Sequence, residues 1–468
     1  MSAGSPGECT QRRLDRRHFL GIVAGSATAI AVPRSNVAAA PEAAARKPNF
    51  VLLLSDDHGY LHASCYGSRN LRTPNLDRLA GEGVRFTRAF TATAMCTPSR
   101  SALYTGLFPH RNGAHPNHSK VRPGVKSIPH YLEPLGYRAA LAGKRHIGPP
   151  AAFPFEYMNR DRVGQFLAGV GSQPFCLVIA TNDPHAPWKK RGPYDASQVI
   201  LPPYLLDTPE TREAMACYWN SVAALDGQVG GFMGLLKRHR LDDNTLFIYA
   251  GDHGSGFPFT KWTLYDAGIR VPFIARWPGH IKPGTATDAM ISFVDVLPTF
   301  IDAAGLKPPA DLDGRSFLPV LSGKTGDHRD AIYAAHTTKG IISGSVYPIR
   351  AIRSKTHKYI INLNPSGIFT NIVTEGRGGR SKGKASKSGP PGYWQSWIGL
   401  ARRDPAAARR VRFYQRRPAE ELYDLRTDPW ELNSLADDPA QRPLIAESRR
   451  RLKAWMKQQN DPLLEKMD

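Results

Sequence analysis

The sequence predicts an α/β protein with a large, mostly parallel sheet flanked by helices, on two observations. Short apolar runs of strand length alternate with stretches whose apolar residues recur at helical spacing, the order produced by a parallel sheet and its crossover helices. Four of the runs also end on clusters of Asp, His, Lys and Gly, and in open sheets of this kind ligands bind beyond the carboxyl ends of the strands. At 468 residues the chain can bury a large core in two or three domains.

The first strand is predicted over 49–54 and stops at Ser55-Asp56-Asp57-His58. Helical spacing follows over 74–82 and returns over 211–238 and 293–304, where Leu and Phe are most simply core. A strand over 137–142 stops at Gly143-Lys144-Arg145-His146, and one over 175–180 runs into Asn182-Asp183-Pro184-His185. The fourth, 245–250, stops at Gly251-Asp252-His253-Gly254. Asp, His and Gly also populate ordinary strand-to-helix turns, so the expectation of one shared crevice rests on all four coinciding. Residues 48–330 are read as the catalytic domain. Beyond them the character changes, with strand-like Tyr347-Pro348-Ile349-Arg350-Ala351-Ile352 and Tyr359-Ile360-Ile361 and an amphipathic helix over 444–459. Residues 331–468 are therefore read as a smaller C-terminal α+β domain with an antiparallel sheet. Within it, 376–392 is rich in Gly, Lys, Arg, Ser and Pro and reads as a mobile solvated loop.

Arg16-Arg17-His18-Phe19-Leu20 leads into an apolar run of 14 residues, 19–32, followed by small residues at Ala38, Ala39 and Ala40. That run is too short to span a bilayer. Residues 1–40 read as an export signal, the paired Arg resembling a twin-arginine signal, with a Sec signal the second reading. The expectation is a protein without a transmembrane segment, passed by the twin-arginine machinery to the bacterial periplasm or the extracellular medium. Of five Cys, Cys9 falls in the signal, and Cys65, Cys176 and Cys217 form an odd set that allows at most one bridge. No Cys-x-x-Cys pair suggests structural zinc. Sixty-two Lys+Arg against forty Asp+Glu give a net charge of +22. This favours a polyanionic partner, whether nucleic acid, acidic lipid or sulfated glycan, without choosing among them.

The densest chemistry lies between the first two strands, in Cys96-Thr97-Pro98-Ser99-Arg100 followed by Leu103-Tyr104-Thr105-Gly106. Pro98 suits the first turn of a helix, so Cys96 sits at a helix N-terminus among free amides and the positive end of the dipole. Arg100 lies one turn along and faces the same way. A lone Cys is more often a small buried hydrophobe, and it is the extended pattern that argues for chemistry.

This stretch resembles the signature of type I sulfatases. The resemblance implies an alkaline phosphatase-like sandwich and oxidation of Cys96 to formylglycine by a formylglycine-generating enzyme, the hydrated aldehyde attacking sulfur. It implies one Ca²⁺ held by Asp56, Asp57, Asp252, His253 and an oxygen on the modified Cys96, with Mg²⁺ or Mn²⁺ open. Arg100 and Lys144 would bracket the hydrate, and His146 would take a proton from the sulfated diol to release sulfate. His185 would protonate the leaving group and Lys261 would bind sulfate oxygens.

Gly143-Lys144-Arg145-His146-Ile147-Gly148-Pro149, Asp183-Pro184-His185, and Tyr347-Pro348-Ile349-Arg350 with Asn362-Leu363-Asn364 are similar to the sulfamidase branch, over about residues 48–440. That likeness implies removal of the N-sulfate of glucosamine in heparan sulfate or heparin fragments, and a sulfated glycan partner rather than nucleic acid. Two positions depart from the branch: His253 replaces Asn, and Lys261 replaces Arg, giving a point charge without the bidentate fork. Other readings are an O-sulfatase on another sulfated carbohydrate, a phosphonate or phosphate ester hydrolase with the same Cys motif, and a noncatalytic polyanion binder.

Overall fold

Strand-forming runs buried on both faces set the architecture of this computed structural model, which describes residues 46–341, 346–374, 380–381, 384–385 and 392–467. The predicted export signal and most of the predicted basic loop 376–392 lie outside the described residues. Residues 46–468 gather into one compact unit. Its larger sheet comprises β1 (Asn49–Ser55), β2 (Val84–Phe90), β3 (Arg138–Gly143), β4 (Glu156–Met158), β5 (Phe175–Ala180), β6 (Thr245–Gly251), β7 (Arg270–Arg276), β8 (Thr285–Thr287) and β9 (Ile291–Ser292). The order is β4-β3-β5-β1-β6-β7-β2-β8, with β9 also on β2. Every pairing in it is parallel except the two made by β7.

The four predicted strands are thus β1, β3, β5 and β6, adjacent and parallel. Their near-continuous apolar sequences follow from burial on both faces. Phe50, Leu52 and Leu54 of β1 pack into one core with Leu246 and Ile248, whereas Val51 and Leu53 pack into another with Leu177 and Phe247. Truncating Leu52 to Ala would cost about 2–5 kcal/mol on that account. The helices Pro74–Glu82 and Pro209–Arg238 match the predicted periodicity, and the third predicted helix is a 3₁₀ turn, Phe293–Asp295, running into Val296–Ala303.

The smaller sheet is antiparallel, as expected: β10 (Ile332–His336), β11 (Ile349–Arg353), β12 (His357–Asn362) and β15 (Glu420–Asp424), in that order. A two-residue pair, β13 (Arg380–Ser381) and β14 (Lys384–Ala385), stands apart. The amphipathic helix Arg442–Gln458 buries Leu452, Trp455 and Met456 against this sheet's core. No helix among the described residues is long and apolar enough to cross a membrane. The four described cysteines are free thiols.

Candidate active site

Because β3, β5, β1 and β6 are parallel neighbours, their carboxyl ends deliver Lys144, His185, Asp56, Asp57, Asp252 and His253 to one edge of the sheet. The turns there are tight. A Cβ at Gly251 would come within 2.3 Å of the His58 carbonyl oxygen, and one at Gly254 within 2.0 Å of that of Ala267, so both loops require Gly. Asp57 and His146 take left-handed backbone angles, φ 66° and 45°. Conformations of this kind cost of order 1–3 kcal/mol and persist where surrounding structure holds them.

The helix Cys96–Thr105 faces this edge, with every residue buried. Pro98 occupies its third position, where the missing N–H had no intrahelical partner to lose. The first helical bond runs from Ser99 N to Met95 O at 3.0 Å. Gly106 closes the helix at φ 66°. Ser99 Oγ donates to Asp252 O at 2.7 Å and ties the helix to the end of β6.

Around Cys96 the charges interlock. Its Sγ lies 3.6 Å from Asp56 Oδ1 and 3.3 Å from His253 Nε2. Arg100, fully buried, donates from Nε and Nη2 to Asp252 Oδ2 at 3.1 and 2.9 Å, with Nη2 3.5 Å from Asp56 Oδ1. Lys144 Nζ donates to Asp56 Oδ2, and Lys261 Nζ to both Asp57 oxygens at 2.7 and 2.8 Å. His185 Nε2 stands at the rim, 38% exposed and 3.9 Å from Asp57 Oδ2. Asp57 is also fixed through its backbone: its N–H donates to Asp252 Oδ1 at 2.9 Å, and its carbonyl accepts from Tyr218 OH at 2.9 Å.

These neighbours outweigh burial. Burial alone would raise both carboxyls, yet Arg100 and Lys144 hold that of Asp56 well below the usual range, and Lys261 with His185 lowers that of Asp57. Burial likewise resists ionisation of the Cys96 thiol, but Lys261, Lys144 and His253 bring it below its ordinary value. His253, opposed by burial, is pushed up to about 9 by Asp252, Cys96 and Asp57.

Cys96 Sγ, His253 Nε2 and one carboxylate oxygen from each of Asp56 and Asp57 all lie within 4.8 Å of one another. Two anionic oxygens and an imidazole beside the reactive position fit a divalent cation, and an oxygen in place of the sulfur would harden the set further. Asp252 lies at the edge of this group, 3.7 Å from His253 Nε2, its Oδ2 taken up by Arg100. All the expected site residues converge, although Arg100, Lys144 and Lys261 bond to carboxylates. Sequence reasoning missed Asn117 and His118. Asn117 Oδ1 accepts from Thr97 N at 3.2 Å, and His118 Nδ1 lies 2.8 Å from His146 Nε2. No local pattern marks either residue.

A buried thiol at a helix N-terminus, beside carboxylates and an imidazole that could hold a divalent cation at the edge of a parallel sheet, is an arrangement suited to a hydrolytic enzyme. The family model described as Sulfatase matches residues 48–157 and 157–306. The chain belongs to the sulfatase family. A model described as N-sulphoglucosamine sulphohydrolase, C-terminal, matches residues 251–368. An Ulvan-active sulfatase of Formosa agariphila is 35% identical over 443 residues, covering 91% of this chain and 83% of that protein. Human N-sulphoglucosamine sulphohydrolase is 27% identical, covering 89% of this chain and 91% of its own. A solved structure in complex with its substrate, D-glucosamine-2-N,6-O-disulfate, shares the fold at a TM-score of 0.68 and 22% identity, covering 89% of this chain and 99% of that one. The expected resemblance to type I sulfatases and their sulfamidase branch is borne out, and the protein is a sulfatase.

Proposed function

We propose that this enzyme removes sulfate from sulfated glycans through a formylglycine at Cys96, and that its substrate group is the N-sulfate of glucosamine in heparan sulfate or heparin fragments. The observation that carries the chemistry is Cys96 at a helix N-terminus, 3.6 Å from Asp56 and surrounded by Arg100, Lys144, Lys261 and His253. The substrate class rests on similarity to N-sulphoglucosamine sulphohydrolase along most of the chain and in its C-terminal part.

Oxidised by a formylglycine-generating enzyme, residue 96 supplies an aldehyde whose hydrate attacks sulfur. Asp56, Asp57, Asp252 and His253 would hold one Ca²⁺, which polarises a sulfuryl oxygen when bound. Arg100, fully buried and bonded to Asp252, adds fixed positive charge beside residue 96. Lys144 and Lys261 place fixed positive charge where a low-dielectric surrounding strengthens it. His185, at the exposed rim, donates a proton to the departing nitrogen or oxygen, and His146 handles the proton whose removal expels sulfate. Export through the twin-arginine machinery to the periplasm or the medium completes the proposal.

The test is the ratio of two losses. His185→Ala should damage hydrolysis of N-sulfoglucosamine about 10²–10⁴-fold more than hydrolysis of an activated aryl sulfate, whose phenolate leaves unaided. Equal losses would assign His185 to sulfate binding. A second reading, an O-sulfatase on another glycan, is favoured by the 35% identity to an Ulvan-active sulfatase and by Lys261 and His253. Turnover of O-sulfated sugars with none of N-sulfoglucosamine would establish it. Turnover of an aryl phosphate ester in place of the aryl sulfate would overturn both readings.

A further inference from the structure

Shortly after His185 the chain carries Lys189-Lys190-Arg191, consecutive cations that the chemistry above does not use. All three are exposed. Lys189 Nζ lies 3.6 Å from Asp183 Oδ1, and neither Lys190 nor Arg191 pairs with a carboxylate among the described residues. A single exposed Lys or Arg is ordinary, but neighbouring cations on a fixed backbone repel one another until an anion lies between them.

The backbone beneath them is fixed by the helix Pro209–Arg238, the same helix whose Tyr218 holds the Asp57 carbonyl. Lys189 N–H donates to Ser221 Oγ at 2.9 Å, Tyr194 N–H donates to Asn220 Oδ1 at 2.9 Å, and Asn220 Nδ2 donates back to Tyr194 O at 3.0 Å. Gly192 is required by that close approach, since a Cβ there would come within 2.4 Å of Asn220 Oδ1. Trp188 stacks on Phe257 at 4.8 Å and meets Tyr218 edge-on at 5.6 Å. A Cβ on Gly256 would lie 3.5 Å from Trp188 and 3.8 Å from Asp57 Oδ2, so the indole and that carboxylate flank one glycine. The three cations thus stand on a pinned lip that begins at His185 and borders the crevice.

We propose that Lys189, Lys190 and Arg191 bind a second anionic group of the glycan, a sulfate or carboxylate carried beyond the sulfate being removed. The inference rests on the proposed role of His185 and deepens it: a residue that protonates the leaving group marks the side on which the sugar lies, and the lip extends from that residue. The crevice takes one anion of a sulfated glycan fragment and leaves the others for the lip. A backbone held in advance lowers the cost of ordering the contact. An aryl sulfate has a single anionic group and offers the lip nothing.

The test measures kcat and KM of the whole enzyme on an aryl sulfate, on a heparin tetrasaccharide, and on the same tetrasaccharide stripped of O-sulfates but keeping its N-sulfates and carboxylates. The lip variant is Lys189→Gln with Lys190→Gln and Arg191→Gln. A control, Lys237→Gln with Arg238→Gln and Arg240→Asn, removes equal charge from exposed residues ahead of β6, at the opposite edge of the sheet. The lip variant should raise KM on the tetrasaccharide about 10-fold, the combined effect of three exposed charge pairs, with both constants on the aryl sulfate within about two-fold of the parent. The control should leave all of them unchanged. A rise confined to the O-sulfated tetrasaccharide assigns the lip to a sulfate, and an equal rise on both tetrasaccharides assigns it to a carboxylate. An unchanged KM on the tetrasaccharide, an equal rise on the aryl sulfate, or an equal rise in the control would overturn the proposal. A parent enzyme that hydrolyses the aryl sulfate but no N-sulfated substrate refutes the N-sulfate reading alone, and a sulfated ulvan tetrasaccharide then takes the place of the heparin one in the same comparison.

Discussion

The crevice beyond β1, β3, β5 and β6 and the seam between the two sheets both bury several formal charges, and they differ in what those charges face. In the seam, Asp266 ahead of β7 pairs with Arg353 of β11 at 3.0 Å and with Lys358 of β12 at 2.5 Å, and Lys358 also reaches Glu431 at 2.9 Å. These partners are all nearly or fully buried, and no nucleophile lies among them. In the crevice, the carboxylates and cations surround a thiol at a helix N-terminus, and His185 opens the group to solvent. Buried charge by itself therefore marks no function; a thiol at a helix N-terminus and a route to solvent set the crevice apart.

The sharpest way to break this contrast is to remove the reactive atom. Cys96→Ala should abolish turnover while leaving the thermal midpoint nearly unchanged, because a small buried side chain is lost and no ion pair is orphaned; a variant that still turns over would end the distinction. Next in size, Asp57→Asn should lose bound divalent cation and most activity, about 10²–10³-fold, read by metal analysis and kcat on one preparation. If thorough chelation leaves the rate untouched, the crevice holds no catalytic metal. Asp266→Asn should do the converse, losing about 3–5 kcal/mol of stability by leaving Arg353 and Lys358 short of a partner, with metal content and kcat of the folded fraction retained. Urea unfolding beside metal analysis separates the two outcomes.

The smallest effect concerns pH. Burial holds the Glu431 carboxyl up at about 7, against the opposing pull of Lys358. A raised carboxyl keeps in the folded state a proton that the unfolded chain has already released, so its contribution is fully present below about pH 4.5 and is lost as pH rises through 7. Glu431→Gln should flatten the stability slope across that window without altering the rate profile. An unchanged slope would remove Glu431 from the seam's titration.

The contrast also separates what local sequence could reveal from what it could not. β1, β3, β5 and β6 were legible because each apolar run is cut off by the polar cluster that serves the site, and parallel pairing turns four sequence-distant clusters into one edge. The Cys96 helix was legible because Pro98 and Gly106 mark its first and last turns. β7 was not: Val271-Pro272-Phe273-Ile274-Ala275 has nothing to show that it runs against its neighbours β6 and β2. The part played by Lys261 was only half legible, since its contact with Asp57 spans 204 residues and depends on how the loop after β6 folds back. Asn117 and His118 were invisible for the same reason, their partners being a backbone amide and a ring nitrogen brought close only by the fold.

The account turns on what residue 96 becomes, and the mass of the peptide that contains it, taken from an active preparation, reads this most directly. The expected result is formylglycine, an aldehyde in place of the thiol, in a fraction that tracks specific activity from one preparation to the next. A fully active preparation carrying only the unmodified Cys96 thiol would contradict the account.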